Sequence, residues 1–520
     1  MERPIRHVVI LGGGTAGWLT ASLLAADHCT SRPDGLRVTL VESPSVPTLG
    51  VGEGTWPSLR DSLRRIGIPE GVFLRRCSAS FKQGSRFDGW RTGAPDDRYY
   101  HPFDAPPGED DVSALSLWRA APEGTPFARA VSAQAALCEE DRAPKQAATP
   151  PYAAVANYAY HLDAGAFADL LKEHATGTLG VRHVRAEVTG TARDEAGGIA
   201  ALRTPEGEVA GDLFVDCSGS RALLIGEALG ALLTDASRYL FNDRALALHV
   251  PHADEAAPIP SQTNAAAQEA GWVWDIALQA RRGVGYVHAS AHTDEERARD
   301  TLTAYLEHTA PRSGLTGADA RLIAFRSAYR EEPWRANVVG IGMAQGFVEP
   351  LEASAIVMAE LSAIMLSDTL PQTTDGLAAA AARFNTRFAY RWGRIVDFLK
   401  LHYVLSERPE PYWAAHRDPD SWPPRLAGLL GQWREAPPSR EDFPEAREIF
   451  PAASYAFVLY GMGFETRARP RLRRQEDPAR AARRLAEIDA RRRQLLAGLP
   501  TNRQLLGTAT TAPIRLQEAG

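Results

Sequence analysis

Cysteine is scarce in this chain: Cys29, Cys77, Cys138 and Cys217 are the only four, and no two stand in a CxxC spacing. That spacing argues against a zinc site and against a disulfide scaffold, so no metal is expected and a reducing, cytoplasmic compartment fits best. Long apolar runs are missing as well. The stretch from Val8 to Leu11 is too short for the apolar core of a signal peptide, and no later stretch approaches membrane-spanning length, so no membrane partner is expected. Positive charge is not in excess either. A net charge of -6 and a pI near 6.2 give no overall electrostatic reason to bind nucleic acid. Lysine is rare in the first part of the chain, where Lys82 is the only one before Lys145. What is present suits an ordinary folded protein: 520 residues, 44% hydrophobic and 23% charged, bury large cores and divide into two or three substructures.

The amino-terminal segment carries the firmest local pattern. His7 to Leu11 is a continuous apolar run of the buried parallel-strand type, and Trp18 to Ala26 reads as a helix rich in Leu and Ala. Between them stands Gly12-Gly13-Gly14-Thr15-Ala16-Gly17. Gly12 permits a tight turn, Gly14 lets backbone approach a phosphate, and Gly17 lets the helix pack on the strand. The helix amino terminus at Thr15 and Ala16 offers amides and a positive dipole end to a pyrophosphate. A second strand, Leu36 to Val41, ends at Glu42, the separation expected of a carboxylate that accepts hydrogen bonds from ribose hydroxyls. Flavoproteins and nicotinamide enzymes share this pattern.

Two later segments favour FAD over NAD. Residues 181 to 218 read as short strands with a Pro205-Glu206-Gly207 turn, and lead to Leu213-Phe214-Val215-Asp216-Cys217-Ser218-Gly219, where Gly219 permits close backbone approach. Asn337-Val338-Val339-Gly340-Ile341-Gly342 reads as another buried strand entering a glycine turn. No second fingerprint for a nicotinamide is found. The expected class is mixed α/β: an FAD-binding fold of the two-dinucleotide-binding-domain type seen in glutathione reductase and aromatic hydroxylases, with a mainly helical substrate-side module. Its expected boundaries are 1–370 for a discontinuous FAD module with an excursion around 90–160, 371–500 for the helical module, and 501–520 for a loosely ordered tail.

Gly271-Trp272-Val273-Trp274-Asp275-Ile276, with Gly283-Val284-Gly285-Tyr286-Val287 after it and Ala344 through Glu352 further on, narrows the class. Together with the glycine loop these segments resemble the flavin-dependent halogenases of the tryptophan halogenase type, and the resemblance covers nearly the whole chain. It implies reduced FAD supplied by a separate flavin reductase, oxygen, and a halide, chloride or bromide, converted to hypohalous acid that attacks a small aromatic substrate. An indole or tryptophan is the substrate implied; a homodimer is one assembly it allows. Lys82, in Cys77-Ser78-Ala79-Ser80-Phe81-Lys82-Gln83-Gly84, resembles the lysine that holds the oxidant, and Glu352 matches the acid beside it. The halide would rest on backbone amides of Ser354 and Ala355, although the run Glu352-Ala353-Ser354-Ala355 departs from the usual Glu-Ser-Thr-Gly. If that glycine serves a positive backbone angle, Ala355 is expected to be strained by about 1 kcal/mol. Trp272 and Trp274 would wall the substrate off from the flavin, with Ala277 standing where the family commonly has proline. His101 and Phe103, in Tyr100-His101-Pro102-Phe103, would line the pocket for the ring.

Residue patterns give several of these positions a second reading. Alternation places Phe81 and Lys82 on opposite faces of a strand and Trp272 and Trp274 on the same face. Glu352 at a helix start also suits the helix dipole. Residues 105–151, rich in proline and alanine, are expected to form an excursion of mobile loops, and the arginine-rich stretch 467–493 a solvated helix laced with Glu487 and Asp489. Two other functions stay open. A single-component flavin hydroxylase would oxidise NADPH directly, but Met343 stands where such enzymes carry an acid. A non-catalytic FAD-binding protein would make Lys82 and Glu352 incidental.

Overall fold

The computed structural model describes residues 3–28, 30, 32–33, 35–46, 52–106, 113–467 and 477–511. The chain folds as two compact units, one of residues 1–79, 162–237 and 326–393, the other of residues 80–161, 238–325 and 394–520. Each is therefore assembled from three stretches, so a single cut near residue 371 does not separate them. The reason lies in the sheets, whose neighbouring strands are drawn from distant parts of the sequence.

In the first unit, β1 (His7–Leu11) leads through the glycine loop into α1 (Thr15–Asp27), and β2 (Arg37–Glu42) lies beside β1. They belong to a six-stranded sheet ordered Trp334–Arg335, Val338–Gly340, Leu213–Asp216, β1, β2, Arg182–Arg185. All neighbours run parallel except the first pair. Val8, Val9, Ile10, Leu40, Phe214, Val215 and Val338 are fully buried, which is why these strands read as unbroken apolar runs. The short strands expected over 181–218 are present, with Thr204 paired to Gly207 around the Pro205-Glu206 turn. Two helices complete the part that matters for function: α2 (Leu59–Ile66), which buries Leu59, Leu63 and Ile66, and α3 (Ser354–Asp368).

The second unit begins with β3 (Ser80–Lys82), paired antiparallel with β4 (Ala159–Asp163). Its main sheet has seven strands, in which β5 (Thr263–Gln268), β6 (Gly271–Ala277) and β7 (Arg281–His288) lie side by side. Every residue of β6 is buried.

Two expectations are corrected here. Residues 113–139 of the proline- and alanine-rich excursion hold three short helices, Ala114–Ala120, Phe127–Val131 and Gln134–Glu139. Leu117, Phe127 and Val131 pack there with Phe457 and Ile488 in one cluster, so apolar side chains outweigh a composition that suggested loops. The stretch after Pro500 opens as α4 (Asn502–Thr511), in which Asn502, Leu505 and Leu506 are buried. Thr501 and Gln504 cap it reciprocally: Gln504 N donates to Thr501 Oγ1 at 3.2 Å, and Thr501 N to Gln504 Oε1 at 2.9 Å. Of the arginine-rich stretch, residues 468–476 lie outside the described residues, and from Pro478 it belongs to a helix over Pro478–Gly498, with Arg484 paired to Glu487 and Arg492 to Asp489. Among the described residues no helix is long and apolar enough to cross a membrane, and no cluster of His, Cys, Asp or Glu could hold a metal ion.

Candidate active site

The glycine loop of the first unit is built by close backbone approach. Gly12 has φ +119°, and a Cβ there would lie 2.2 Å from the carbonyl oxygen of Cys217. A Cβ on Gly17 would lie 1.9 Å from the Gly12 oxygen, so the helix can start where it does only without a side chain. Gly14 is the N-cap residue of α1 and faces open space. No side chain caps the helix and no acid stands in its first turn, which leaves first-turn amides for an anion. Gly219 (φ +74°) also faces open space, and Gly342 (φ +69°) packs on Ala16 with only 2.8 Å for a Cβ. These cradles fit a dinucleotide.

Glu42 lies against the same loop. Its carboxylate lies across Gly13, where a Cβ would come within 2.3 Å of it, and His183 Nε2 is 2.7 Å away on the adjacent strand. Gly13 is thus needed for the carboxylate rather than for phosphate, a role that a spacing rule for glycine loops does not contain.

The turn before α3 carries the backbone strain. Glu352 (φ 62°) and Ala353 (φ 57°) are successive left-handed residues, and neither is glycine. Ala355 lies inside the helix with no positive φ, so the strain expected there sits two and three residues earlier. Left-handed angles cost about 1–2 kcal/mol per non-glycine residue, and contacts from outside must hold them. Trp56 Nε1 donates to the Glu352 carbonyl at 2.8 Å. Further along α3, Glu360 accepts from Ser58 Oγ at 2.9 Å and from Ser62 Oγ at 2.5 Å. Burial raises the Glu360 carboxyl to about 7 despite both bonds. On the helix's other contacts, Ser362 Oγ lies 3.1 Å from Gln345 Nε2, and Trp392 Nε1 donates to Gln345 Oε1 at 3.1 Å. Glu352 itself is 7% exposed, and Ser354 and Ala355 occupy the first turn of α3, which no side chain caps.

Lys82 belongs to the second unit and is 1% exposed. Its strand is fixed from three sides: by pairing with β4, by Ser80 Oγ donating to the Ala277 carbonyl at 2.6 Å, and by Asn502 Nδ2 donating to the Phe81 carbonyl at 3.0 Å. Phe81 turns to Tyr158 and Tyr160, and Lys82 to the opposite face, as alternation predicts. The Lys82 ammonium lies 5.4 Å from the centroid of the Phe103 ring. His161 is paired across from Ser80, which puts it diagonally beside Lys82 on that face. His161 is fully buried; burial first, and the Lys82 charge second, hold it well below the usual histidine range and hence neutral.

The aromatic residues of this unit are equally fixed. Trp272 and Trp274 share a face of β6, edge to face with centroids 6.5 Å apart, and Trp272 packs on Trp90 at 6.1 Å. The Trp274 ring lies across Gly285, where a Cβ would come within 2.1 Å of it. That explains glycine at this position of β7. His101, 6% exposed, sits between the rings of Phe398 at 5.6 Å and Phe457 at 6.1 Å. Trp56, His161, Thr263, Glu360 and Asn502 were not legible as site residues in the sequence, since each acts through a partner far along the chain. Only the Thr501-Asn502-Arg503-Gln504 capping pattern was a local signal.

Comparison with known proteins gives the family. The family model described as tryptophan halogenase matches residues 7–478. A solved tryptophan halogenase from Shewanella frigidimarina superposes with a TM-score of 0.93 at 43% identity, covering 98% of each chain. The tryptophan 6-halogenase ThaL of Streptomyces albogriseolus is 35% identical over 80% of this chain and 80% of its own. BrvH, a flavin-dependent halogenase from a Brevundimonas species, has a TM-score of 0.84 at 33% identity, covering 97% of this chain and 99% of its own. These relatives are flavin-dependent enzymes. The chain belongs to the tryptophan halogenase family of flavin-dependent halogenases, which does not favour the hydroxylase or non-catalytic readings.

Proposed function

We propose that this enzyme halogenates an electron-rich aromatic ring, an indole or tryptophan, and takes its reduced FAD from a separate flavin reductase. When bound, reduced FAD would supply the electrons that activate oxygen, and oxygen the oxidising equivalents that turn chloride or bromide into hypohalous acid. Gly12, Gly14, Thr15, Ala16, Gly17, Gly219 and Gly342 hold the cofactor, and Glu42 its ribose. The amides of Ser354 and Ala355, at a helix start with its positive dipole end, hold the halide. Lys82 holds the hypohalous acid, since an ammonium donates hydrogen bonds to its oxygen. Glu352 takes the proton that leaves the ring as aromaticity returns. Phe103 and His101 stack and orient the ring, and Trp272 with Trp274 keep it from the cofactor.

The observation that carries this reading is Lys82: a buried ammonium 5.4 Å from an aromatic centroid, with a neutral histidine on the same face of its sheet. A surface lysine would have no such setting. The test is mass spectrometry of an indole panel incubated with the enzyme, FAD, a flavin reductase, NADH and either halide. Halogenated product is expected with the reductase and none with NADPH alone. NADPH oxidation without a reductase, yielding a hydroxylated ring, would overturn the proposal.

A further inference from the structure

We propose that His161 is a second contact for the oxidant: with Lys82 it forms a two-point clasp, Lys82 donating an N–H to the oxygen of hypohalous acid and His161 Nδ1 accepting its O–H. This rests on the halogenase reading above.

Three observations lead to it. The register of β3 with β4 sets Ser80 opposite His161 and Lys82 opposite Ala159, so Lys82 and His161 are diagonal neighbours on one face. His161 is 0% exposed, and its Nδ1 is buried without a hydrogen-bond partner among the described residues, while Nε2 lies 2.9 Å from Thr263 Oγ1. The two side chains nevertheless feel each other, since the Lys82 charge lowers the proton affinity of His161. They are diagonal neighbours on one face, and Nδ1 makes no hydrogen bond to Lys82, so a small group that reached both would give Nδ1 a partner.

Hypohalous acid matches that place by its chemistry. It presents one O–H donor and one oxygen acceptor, and an ammonium alone can satisfy only the oxygen. One contact leaves the molecule free to pivot; a second one fixes the direction of the halogen. In the tautomer whose Nε2–H donates to Thr263, His161 Nδ1 is a bare lone pair suited to the O–H, and a buried acceptor left without a partner is one that a ligand can satisfy. Lys82 is the one charged group that acts on His161 among the described residues, so no carboxylate competes for the proton. No covalent step is involved. The clasp holds and aims a reagent that the enzyme already makes.

The test is the fate of the oxidised halide in the holoenzyme, with FAD, reductase, bromide and indole, and with taurine in solution to trap escaping hypobromous acid as N-bromotaurine. His161→Gln keeps a group that reaches Thr263 and removes the Nδ1 acceptor; His161→Asn places an amide oxygen near it. The ratio of N-bromotaurine to bromoindole is expected to rise at least about tenfold in His161→Gln and to return to within about threefold of the parent in His161→Asn. An unchanged ratio in His161→Gln, or an Asn variant as leaky as Gln, overturns the clasp. Nitrogen NMR of the unsubstituted protein labelled on histidine is independent of folding of the variants: it should show an unprotonated Nδ1 for His161 from pH 6 to 8, and a protonated Nδ1 overturns the proposal. If the unsubstituted enzyme makes neither product, the halogenase reading itself fails, an outcome distinct from a clasp that fails while bromoindole still forms.

Discussion

The indole N–H of Trp56 donates to the backbone carbonyl of Glu352 across 2.8 Å, so the residue assigned as the ring's proton acceptor stands on a turn held from outside its own helix. The same segment grips the helix again eight residues later, through Ser58 and Ser62 on Glu360. Two left-handed residues in succession persist because these contacts leave the backbone no cheaper conformation.

Removing the first grip should loosen that turn. Trp56→Phe keeps the ring and loses the donor, which is expected to lower stability by about 1–2 kcal/mol. Halogenation should fall together with a raised halide KM, while affinity for FAD stays unchanged. Steady-state kinetics over a bromide series decides it, and an unaltered halide KM in a destabilised variant would separate the turn from halide binding.

Glu360 makes stability depend on pH with a definite sign. Its folded carboxyl is raised from 4.5 to about 7, so the folded state binds more protons than the unfolded state between those values. Stability from this group is full below about pH 4.5 and is lost as pH rises toward 7, by an amount on the order of 3 kcal/mol at most. Glu360→Gln, neutral at every pH, should gain on the parent across that window and hold its advantage above it. Denaturant unfolding at pH 5, 6 and 7 measures the difference; a gap that does not widen with pH would refute the assignment.

The position of strain predicts opposite effects for two neighbouring alanines. Ala353→Gly relieves a φ of 57° and should stabilise the protein by up to about 1 kcal/mol. Ala355→Gly places glycine inside a helix and should destabilise it by about 1 kcal/mol. Paired thermal melts suffice, and the reverse order would mean that the strain lies at 355 after all.

Asn502 ties the last helix to the backbone of the residue before Lys82. Asn502→Ala should cost about 1–2 kcal/mol and reduce halogenation without altering flavin affinity. Full product formation in that variant would show that the strand needs no support from α4.

How much of this was readable from the chain depended on how far apart the interacting residues are. The glycine loop was legible because Gly12 and Gly17 answer to local backbone geometry, and the faces of Lys82, Trp272 and Trp274 because a strand alternates with period two. Gly13 was not, since the group it makes room for is the side chain of Glu42. His161 gave no signal because its partner Thr263 lies 102 residues away and its neighbour Lys82 lies 79 away. The positive angles of Glu352 and Ala353 were hidden because neither is glycine, and the expectation of strain went instead to the residue that replaces one. Residues 113–139 misled through composition: alanine and proline suggested loops, yet Leu117, Phe127 and Val131 carry enough apolar surface to bury three helices. Two or three substructures were expected from length, but the stretches that make up each unit were not, because each unit takes three separate ones.

The central claim is that Lys82 handles the oxidant, and one comparison tests it most directly. Lys82→Ala and the parent enzyme, each with FAD, reductase, bromide and an indole substrate, are followed for reduced-flavin oxidation by absorbance and for bromoindole by mass spectrometry. Oxidation is expected to stay within about twofold while bromoindole falls at least about a hundredfold. Bromoindole formed by Lys82→Ala at the parent rate would contradict it.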